Sequence, residues 1–303
     1  MVGPTSESLS ESLGDAFGDS FSAGKQVEPN VVTVNPLTVV LMLAWREIIR
    51  FFRQRNRVIG AVGQPIIFWL LFGTGLHGTF RLTPTGEGGQ SFLDYYLPGT
   101  LVLILLFTAI FATISIIEDR KEGFLQSVLV APIPRWTMVL GKILGGSVIA
   151  VAQGLLFLAL ALCIRMEVDV SAVAQITAML AVAAIGLTSL GFVIAWRMES
   201  TQGFHAIMNL ALMPMWLLSG AFFPPPALVA GLPIGQVILH WTMRLNPVSY
   251  CVAGIRHMLD STPLAGFWVP SLPECWLVTC VAALLAFGGA WMIAGQRTSG
   301  DLL

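Results

Sequence analysis

Long apolar stretches alternate with short polar ones from residue 58 onward. Each apolar stretch is close to the roughly 20 residues that an α-helix needs to cross a bilayer. The pattern predicts six membrane spans, at residues 58–76, 97–117, 143–164, 173–195, 204–223 and 276–294. Because the number of crossings is even, we expect both termini on the same side of the membrane.

The polar segments divide the chain into four predicted parts. Residues 1–34 are rich in Ser, Gly and acidic residues and contain no apolar run, which is typical of a disordered acidic tail. Residues 35–57 form a predicted amphipathic interface helix, residues 58–295 the transmembrane domain, and residues 296–303 a short second tail. The predicted fold class is an all-α polytopic membrane protein.

The predicted interface helix starts at Asn35 and Pro36, a favourable cap and first helical residue. Four arginines recur at intervals of four, three and four residues and therefore share one face: Arg46, Arg50, Arg53 and Arg57. The other face carries Leu41, Trp45, Ile48 and Phe52. We expect such a helix to lie in the membrane interface, with its arginines toward anionic headgroups or a partner protein. A positive-inside anchor for the first span is an equally good interpretation.

A charged, proline-broken segment separates the second and third predicted spans, at residues 118–142. It opens with five consecutive ionisable residues, Glu118, Asp119, Arg120, Lys121 and Glu122. Each would cost about 2.5 to 3.5 kcal/mol at the centre of a membrane helix. We therefore expect a polar loop whose charges lie in water or against another protein.

Lys and Arg near the span ends predict the orientation. Eleven of them flank the spans on the side of the termini, and four flank them on the other side. By the positive-inside rule, both termini and the charged segment are expected in the cytoplasm. We expect the protein in a bacterial cytoplasmic (inner) membrane.

Two further patterns concern helix packing. Small residues follow one another along the third span at steps of about four: Gly141, Gly145, Gly146, Ala150 and Gly154. Such a strip allows another helix to approach closely, within one subunit or across a dimer, and we favour packing within the subunit. Between the fifth and sixth spans, residues 228–239 are apolar but too short and too broken to cross, which predicts short re-entrant or interfacial helices on the outer face.

Composition supports the membrane assignment. The chain is 55% hydrophobic and 11% charged, whereas about a quarter of the residues of a soluble domain are charged. The net charge of -1 includes no basic domain, so nucleic acid is not an expected partner. The four cysteines form no CxxC pair, so no metal site is predicted, and a bridge between Cys251 and Cys275 stays open.

The motifs of several chemistries are missing from the sequence. There is no GxxxxGK[ST] phosphate loop, so any ATP must be bound by a separate subunit. The predicted spans contain essentially no carboxylates, which argues against an ion-driven carrier. Ser249, His257 and Asp260 lie near one another along the chain, but we interpret them as a polar patch rather than a catalytic triad.

The segment EDRKEGFLQSVLVAPIPRWTMVLGK, together with the later LSGAFFP, an Asn-Pro pair and Arg256, resembles the permeases of type 2 ATP-binding-cassette (ABC) exporters. The resemblance implies a cytoplasmic coupling helix after the second span and short external helices before the sixth. It also implies a homodimer or heterodimer of permease subunits bound to ABC ATPase subunits, which would hold ATP and Mg. This chain would then be no enzyme by itself and would need no cofactor of its own.

The resemblance carries over to particular positions. The coupling stretch corresponds to Glu118, Arg120, Lys121, Glu122, Gly123 and Lys142, the last of these opening the third span. The external signature corresponds to Pro224, Asn246, Pro247 and Arg256. Where the family usually has Thr-Leu-Glu, this chain has Phe124, Leu125 and Gln126, so a carboxylate is lost. Glu122, followed by Glu118, becomes the leading candidate for contact with the ATPase, and we expect Arg120 and Glu122 to face solvent when the partner is absent.

The implied function is export of a drug, lipid or glycan-like substrate from the cytoplasm. Residues that could line an apolar path are Phe68, Trp69, Phe107, Phe111, Met215 and Trp216, although packing explains such residues more often. One alternative is a polytopic membrane enzyme, such as a lipid-modifying transferase, with its site around residues 246–260. Another is an anchor or assembly scaffold without transport.

Overall fold

The computed structural model describes residues 35–75, 92–165, 169–229, 231–259 and 267–295. The helices in these ranges are α1 Pro36–Arg53, α2 Arg55–Gly75, α3 Phe92–Lys121, α4 Phe124–Val130, α5 Arg135–Arg165, α6 Val170–Trp196, α7 Thr201–Trp216, α8 Ile234–Leu245, α9 Pro247–Leu259 and α10 Leu272–Gly295. A π-helical turn, Leu217–Ala221, extends α7. The predicted tails at residues 1–34 and 296–303 lie outside the described residues.

The all-α membrane fold is confirmed. Among the described residues, six helices are long and apolar enough to cross a membrane: α2, α3, α5, α6, α7 with its π-helical turn, and α10. Two short helices, α8 and α9, lie between the fifth and sixth of these, as the broken apolar stretch predicts. Most of the spanning helices begin or end a few residues beyond the predicted spans.

Helix α3 forms the centre of the bundle. In the most apolar 18-residue stretch of α3, 89% of the residues are buried inside the protein. The corresponding share is 22% for α2 and for α10. Helices α2, α5, α6 and α7 all pack against it. A helix that is apolar all round can be surrounded in this way, and α3 therefore fixes where its two ends are placed.

The glycine strip of α5 packs against α1 within the chain. A Cβ atom added to Gly141 would lie 2.7 Å from the Cβ of Leu43, and one added to Gly145 would lie 2.8 Å from the Cβ of Glu47. The two backbones are thus in contact, and larger side chains would push α1 away from α5. At these two positions the strip serves packing inside the subunit.

The prediction of a polar loop over residues 118–142 is wrong in extent. Helix α3 continues to Lys121 and α5 already begins at Arg135, so Lys142 lies inside the third spanning helix rather than at its start. Only α4 and its two junctions separate the helices. The reason is that the charges at the end of α3 are paired with cations of neighbouring helices, so the helix need not end where the charges begin.

Candidate functional site

Each end of α3 carries a polar cluster. The charged end of the bundle comprises α1, the last turn of α3, α4 and the start of α5. The aromatic end comprises the first turns of α3, the π-helical turn, α8 and α9.

At the charged end, the basic face of α1 is turned inward. Asn35 begins the helix by accepting a hydrogen bond from the Leu37 backbone amide at 3.0 Å. The exposed positions of α1 are largely apolar and include Leu37, Leu41, Met42, Trp45 and Phe52. Arg46 and Arg50 point instead toward α3. The expected direction of these arginines is therefore wrong, because buried carboxylates of the same chain attract them.

Asp119 is the centre of the charged end. Its side chain is fully buried, and Arg46 binds it through two hydrogen bonds of 2.8 and 3.1 Å. Arg50 and Lys142 also form ion pairs with it. Burial opposes the charge of the Arg46 guanidinium, but Asp119 outweighs this effect, so the pKa of Arg46 is raised. The expectation that all five charges of residues 118–122 lie in water or against another protein is wrong for Asp119.

Lys142 joins a second carboxylate to this centre. Its side chain is almost completely buried, and Nζ lies 2.9 Å from Glu47 Oε1 and 3.3 Å from Ser115 Oγ. With Asp119, these partners match the three donor hydrogens of the ammonium group. Helices α1, α3 and α5 are consequently tied together by hydrogen-bonded charges.

The outer part of the network involves Glu118. Arg50 Nη2 lies 2.9 Å from Glu118 Oε2 and 3.4 Å from Glu122 Oε1, and Arg57 pairs with Glu118 as well. Four cations and four carboxylates take part: Arg46, Arg50, Arg57, Lys142, Glu47, Glu118, Asp119 and Glu122. The formal charges balance, which is the condition for burying such groups. Arg53 is exposed and has no ion pair with any described residue.

Arg120 has a different role from the one expected. Its guanidinium donates to the backbone oxygens of Trp196 and Met198, at 2.5 and 3.1 Å, and lies over the Trp196 ring. The last carbonyls of a helix lack partners within that helix, and a cation is favourable there. Arg120 therefore caps the end of α6, and the expectation that it faces solvent is wrong.

Helix α4 lies on this network. Gly123 precedes it in the left-handed conformation, with φ at 76°. Leu125 is buried, and the Arg46 guanidinium stacks 3.6 Å from the centre of the Phe124 ring. Phe124, where the chain departs from the family pattern, thus attaches α4 to the network. The outward residues of the region are Lys121, Glu122, Gln126, Ser127 and Val130.

At the aromatic end, Arg256 reaches across to α3 and the π-helical turn. Its Nη2 lies 3.0 Å from the Gly220 oxygen and 3.4 Å from the Tyr95 oxygen, and its guanidinium lies 4.3 Å from the Tyr95 ring centre. The Tyr95 hydroxyl donates to the same Gly220 oxygen at 2.9 Å. Burial lowers the pKa of Arg256, although Tyr95 partly offsets this effect.

Asn246 connects the π-helical turn to α9. Its side-chain amide donates to the oxygens of Met215 and Leu218, the latter at 3.2 Å, and its Oδ1 accepts from the Val248 amide at 3.0 Å. Pro247 follows as the first residue of α9, where a missing amide hydrogen costs nothing. The structure thus brings Asn246, Pro247 and Arg256 together around the turn. It is Pro225, rather than the predicted Pro224, whose ring would contact a side chain added at Gly220.

The predicted substrate-path residues pack inside this chain. The Trp69 indole donates to the Leu93 oxygen at 3.2 Å, and the Trp216 indole donates to the Gly99 oxygen at 2.8 Å. Phe107 is buried in the core. Phe68 packs on Phe72, and Phe111 packs on His205. Met215 lines an apolar cavity between α6 and α10.

The described residues do not bring Ser249 and His257 into a catalytic arrangement, as the alternative of a membrane enzyme would require. His257 Nε2 lies 2.8 Å from the Pro270 oxygen, whereas Ser249 Oγ faces the Leu218 oxygen at 3.4 Å. Asp260 lies outside the described residues. Cys251 and Cys275 are buried free thiols. Within the described ranges, no group of three or more His, Cys, Asp or Glu side chains could hold a metal ion.

Sequence reasoning missed Asp119, Glu47 and Ser115 as site residues. For Glu47 a signal exists, because it is the one carboxylate on an otherwise basic helix. Asp119 carries no comparable signal, since it is one of five neighbouring charges.

Six spanning helices, of which α3 is buried at the centre, with a charge network and a short exposed helix at one end, define a polytopic all-α membrane protein. The chain belongs to the ABC-2 type transporter family, whose model matches residues 38–259. It is 24% identical over 253 residues to the daunorubicin resistance ABC transporter permease protein DrrB1 of Streptomyces coeruleorubidus, covering 82% of this chain and 81% of that protein.

Two other relatives have similar names. The chain is 25% identical over 174 residues to the probable multidrug ABC transporter permease YbhR of Escherichia coli K12, covering 56% of this chain and 44% of that protein. It is 23% identical over 223 residues to the putative transport permease ycf38 of Cyanophora paradoxa, covering 72% and 73%. The chain is thus a membrane permease subunit of an ABC transporter, and its family implies a cytoplasmic ABC ATPase as partner.

Proposed function

We propose that this chain is the membrane-spanning subunit of an ATP-driven exporter of drugs, lipids or glycan-like molecules. A separate ATPase, which holds ATP and Mg, would bind at the charged end. The charged end and both termini would then lie in the cytoplasm, and the chain in a bacterial cytoplasmic membrane. The supporting observation is that α4 is exposed on one side and attached on the other to charges that join α1, α3 and α5.

In this proposal α4 is the coupling helix. Movement of the ATPase would displace α4, and the network would carry that displacement into three helices at once. Buried ion pairs suit this role because separating them leaves uncompensated charge in a low-dielectric region. ATP binding would thereby shift the population between inward-open and outward-open states.

The predicted coupling residues then divide into two groups. Glu122, with 61% of its side chain exposed, and the exposed Lys121 and Val130 are available to a partner. Glu118 and Lys142 are engaged inside the chain and would transmit the motion. Gly123 would supply the bend between α3 and α4.

Lipids and a second permease subunit are further proposed partners. The exposed apolar side of α1, with Trp45 and Phe52, suits the acyl boundary of a membrane interface. Helices α2 and α10 leave most of their apolar surface uncovered, which suits lipid or a second copy or homologue of the chain.

Val130 offers the sharpest test, because it is 85% exposed and its replacement should not disturb the fold. Val130→Asp should abolish copurification of the partner ABC ATPase. It should also abolish ATP-dependent uptake of daunorubicin into inside-out vesicles, a probe suggested by the name of the relative DrrB1.

A matched control exists at the other end of the bundle. Leu228 is also an exposed apolar residue, and Leu228→Asp should leave ATPase binding intact. Normal ATPase binding and uptake by both Val130→Asp and Glu122→Ala would refute α4 as the coupling helix.

A further inference from the structure

An apolar cavity of about 400 Å³ lies between α6 and α10. Its wall on α6 includes Ala183 and Gly186, and its wall on α10 includes Ala282, Ala286 and Gly289. Val102 of α3, Met215 of α7, and Val248 and Cys251 of α9 also line the cavity. Larger apolar side chains on the same walls include Leu187 and Val193 of α6. A Cβ atom added to Gly186 would lie 3.2 Å from the Ala283 Cα, so the two helices touch there and the cavity lies beside that contact. The volume falls within the range of about 300 to 1,000 Å³ that is usual for ligand sites.

The cavity opens at the exposed apolar face of α10. Leu285 lines it and is 72% exposed. Its neighbours Val281 and Leu284 are also exposed, and α10 is one of the least covered spanning helices. A ligand can therefore enter from the membrane without crossing the bundle.

One wall residue carries an unused hydrogen-bonding group. Thr100, Thr108 and Thr113 of α3 each donate their hydroxyl to the carbonyl four residues earlier. Thr279 lines the cavity and is 5% exposed, yet its hydroxyl has no partner among the described residues. Rotation about one bond exchanges its methyl and hydroxyl groups, so the hydroxyl can be presented to a ligand.

We propose that this cavity binds the acyl chain of a membrane phospholipid, with the hydroxyl of Thr279 donating to an ester carbonyl. The walls match an aliphatic chain, which has no polar atom to satisfy. The hydroxyl matches the one polar group that an acyl chain carries at its end. The exposed apolar face of α10 at the mouth of the cavity suits contact with phospholipid. The site is separate from the coupling helix, so the proposal stands or falls without the ATPase.

Photolabelling tests the proposal directly. The purified chain would be placed in nanodiscs of phosphatidylcholine that contain a fraction of phosphatidylcholine with a diazirine on one acyl chain. After irradiation, mass spectrometry should find the label concentrated on cavity-lining residues of α6 and α10. Label spread over α10 in proportion to exposure, with Leu284 and Leu285 labelled alike, would overturn it.

Two variants distinguish labelling inside the cavity from labelling of the exposed lipid-facing surface of α10. Ala286→Trp fills the space and should lower cavity labelling about tenfold, in line with the loss of a specific apolar site. Leu284→Trp adds the same side chain to the exposed face and should leave cavity labelling within about twofold of the parent, because the apolar area of the cavity walls is unchanged. If Ala286→Trp does not fold, as judged by gel filtration, the smaller Ala282→Leu takes its place. Unchanged cavity labelling in the folded filling variant would refute the site.

A second pair tests the hydroxyl. Thr279→Val keeps the shape and should weaken labelling about two- to tenfold, the effect of one net hydrogen bond. Thr177→Val is the matched control, because Thr177 already donates to the Val173 carbonyl on α6. Equal labelling of the parent and of Thr279→Val would refute the proposed hydrogen bond from the Thr279 hydroxyl to the ester carbonyl.

Discussion

The two ends of α3 are held in different ways. At the charged end, Asp119 is bound by Arg46, Arg50 and Lys142, and nearly every contact joins opposite charges. At the aromatic end, Arg256 meets a ring and backbone oxygens, and no ion pair with a described residue is found for it. One end therefore depends on charge balance, and the other on packing and on satisfying carbonyls at a distorted turn.

The aromatic end distributes its stability over many contacts. Phe222 packs edge-on against Phe72 at 5.2 Å and against Tyr96 at 5.9 Å, and Phe92 stacks on Tyr96 at 5.5 Å. Each such pair contributes about 0.5 to 1.5 kcal/mol beyond its burial. Loss of one ring should be partly tolerated, whereas loss of one central charge leaves several others unpaired. The charges of the charged end therefore stabilise the fold cooperatively, whereas the contacts of the aromatic end contribute nearly additively.

The largest expected effect is that of Asp119→Asn. The change keeps the size of the side chain but leaves Lys142 and Arg46 without their shared carboxylate. Removing one partner of a buried pair costs about 3 to 5 kcal/mol. The free energy of unfolding, measured by denaturant titration in mixed micelles, should fall by about this amount. The double variant Asp119→Asn, Lys142→Met should recover part of the loss, and a double variant less stable than the single one would contradict the network.

Asn246→Ala should have the next largest effect. It removes the cap of α9 at Val248 and leaves two carbonyls, of Met215 and Leu218, without their donor. We expect a loss of about 2 to 3 kcal/mol in the same titration. Asn246→Asp keeps the oxygen that accepts from Val248 but loses the amide that donates to the Met215 and Leu218 carbonyls. If the two carbonyls account for most of the effect, Asn246→Asp should lower the free energy of unfolding as much as Asn246→Ala does.

A pair of glycines compares the two ends under the same substitution. Gly123 and Gly220 both adopt left-handed φ, at 76° and 77°. A side chain at Gly220 would meet the Pro225 ring at 3.2 Å, whereas one at Gly123 would meet only the Gln126 side chain at 3.4 Å. Replacement by Ala should cost about 1 kcal/mol at Gly123 and about 2 kcal/mol at Gly220. Thermal unfolding of the two variants side by side gives the measurement, and the reverse order would show that packing at the π-helical turn is loose.

The smallest effect is expected for Glu122→Gln. Glu122 belongs to the network through a 3.4 Å contact with Arg50 but is largely exposed. An exposed ion pair contributes about 0 to 1 kcal/mol, so stability should hardly change. Raising the salt concentration should shrink even this difference. A large loss would place Glu122 in the buried part of the charged end.

Much of the fold follows from local patterns. The six spans depend on the length of apolar runs, and α8 and α9 depend on breaks such as Pro233 and the Asn246-Pro247 pair. The shared face of Arg46 and Arg50 follows from helical spacing, because residues three or four apart share a face. The direction of that face was predicted wrongly, since spacing places residues relative to one another and not relative to the rest of the chain. The predicted interface helix of residues 35–57 is wrong in extent, since α1 ends at Arg53 and Arg57 lies on α2.

The membrane class, the spans and the amphipathic character of α1 follow from the apolar and polar pattern of the sequence, and the family resemblance adds a short helix after the second span. Only the tertiary structure decided that Asp119 is the buried centre of the charges, that Arg120 caps α6 and that Phe124 stacks on Arg46. These contacts join residues about 70 to 80 positions apart. Hydrophobic periodicity reports what a helix buries, but the choice of partner for a charge depends on which helix ends meet when the bundle packs around α3.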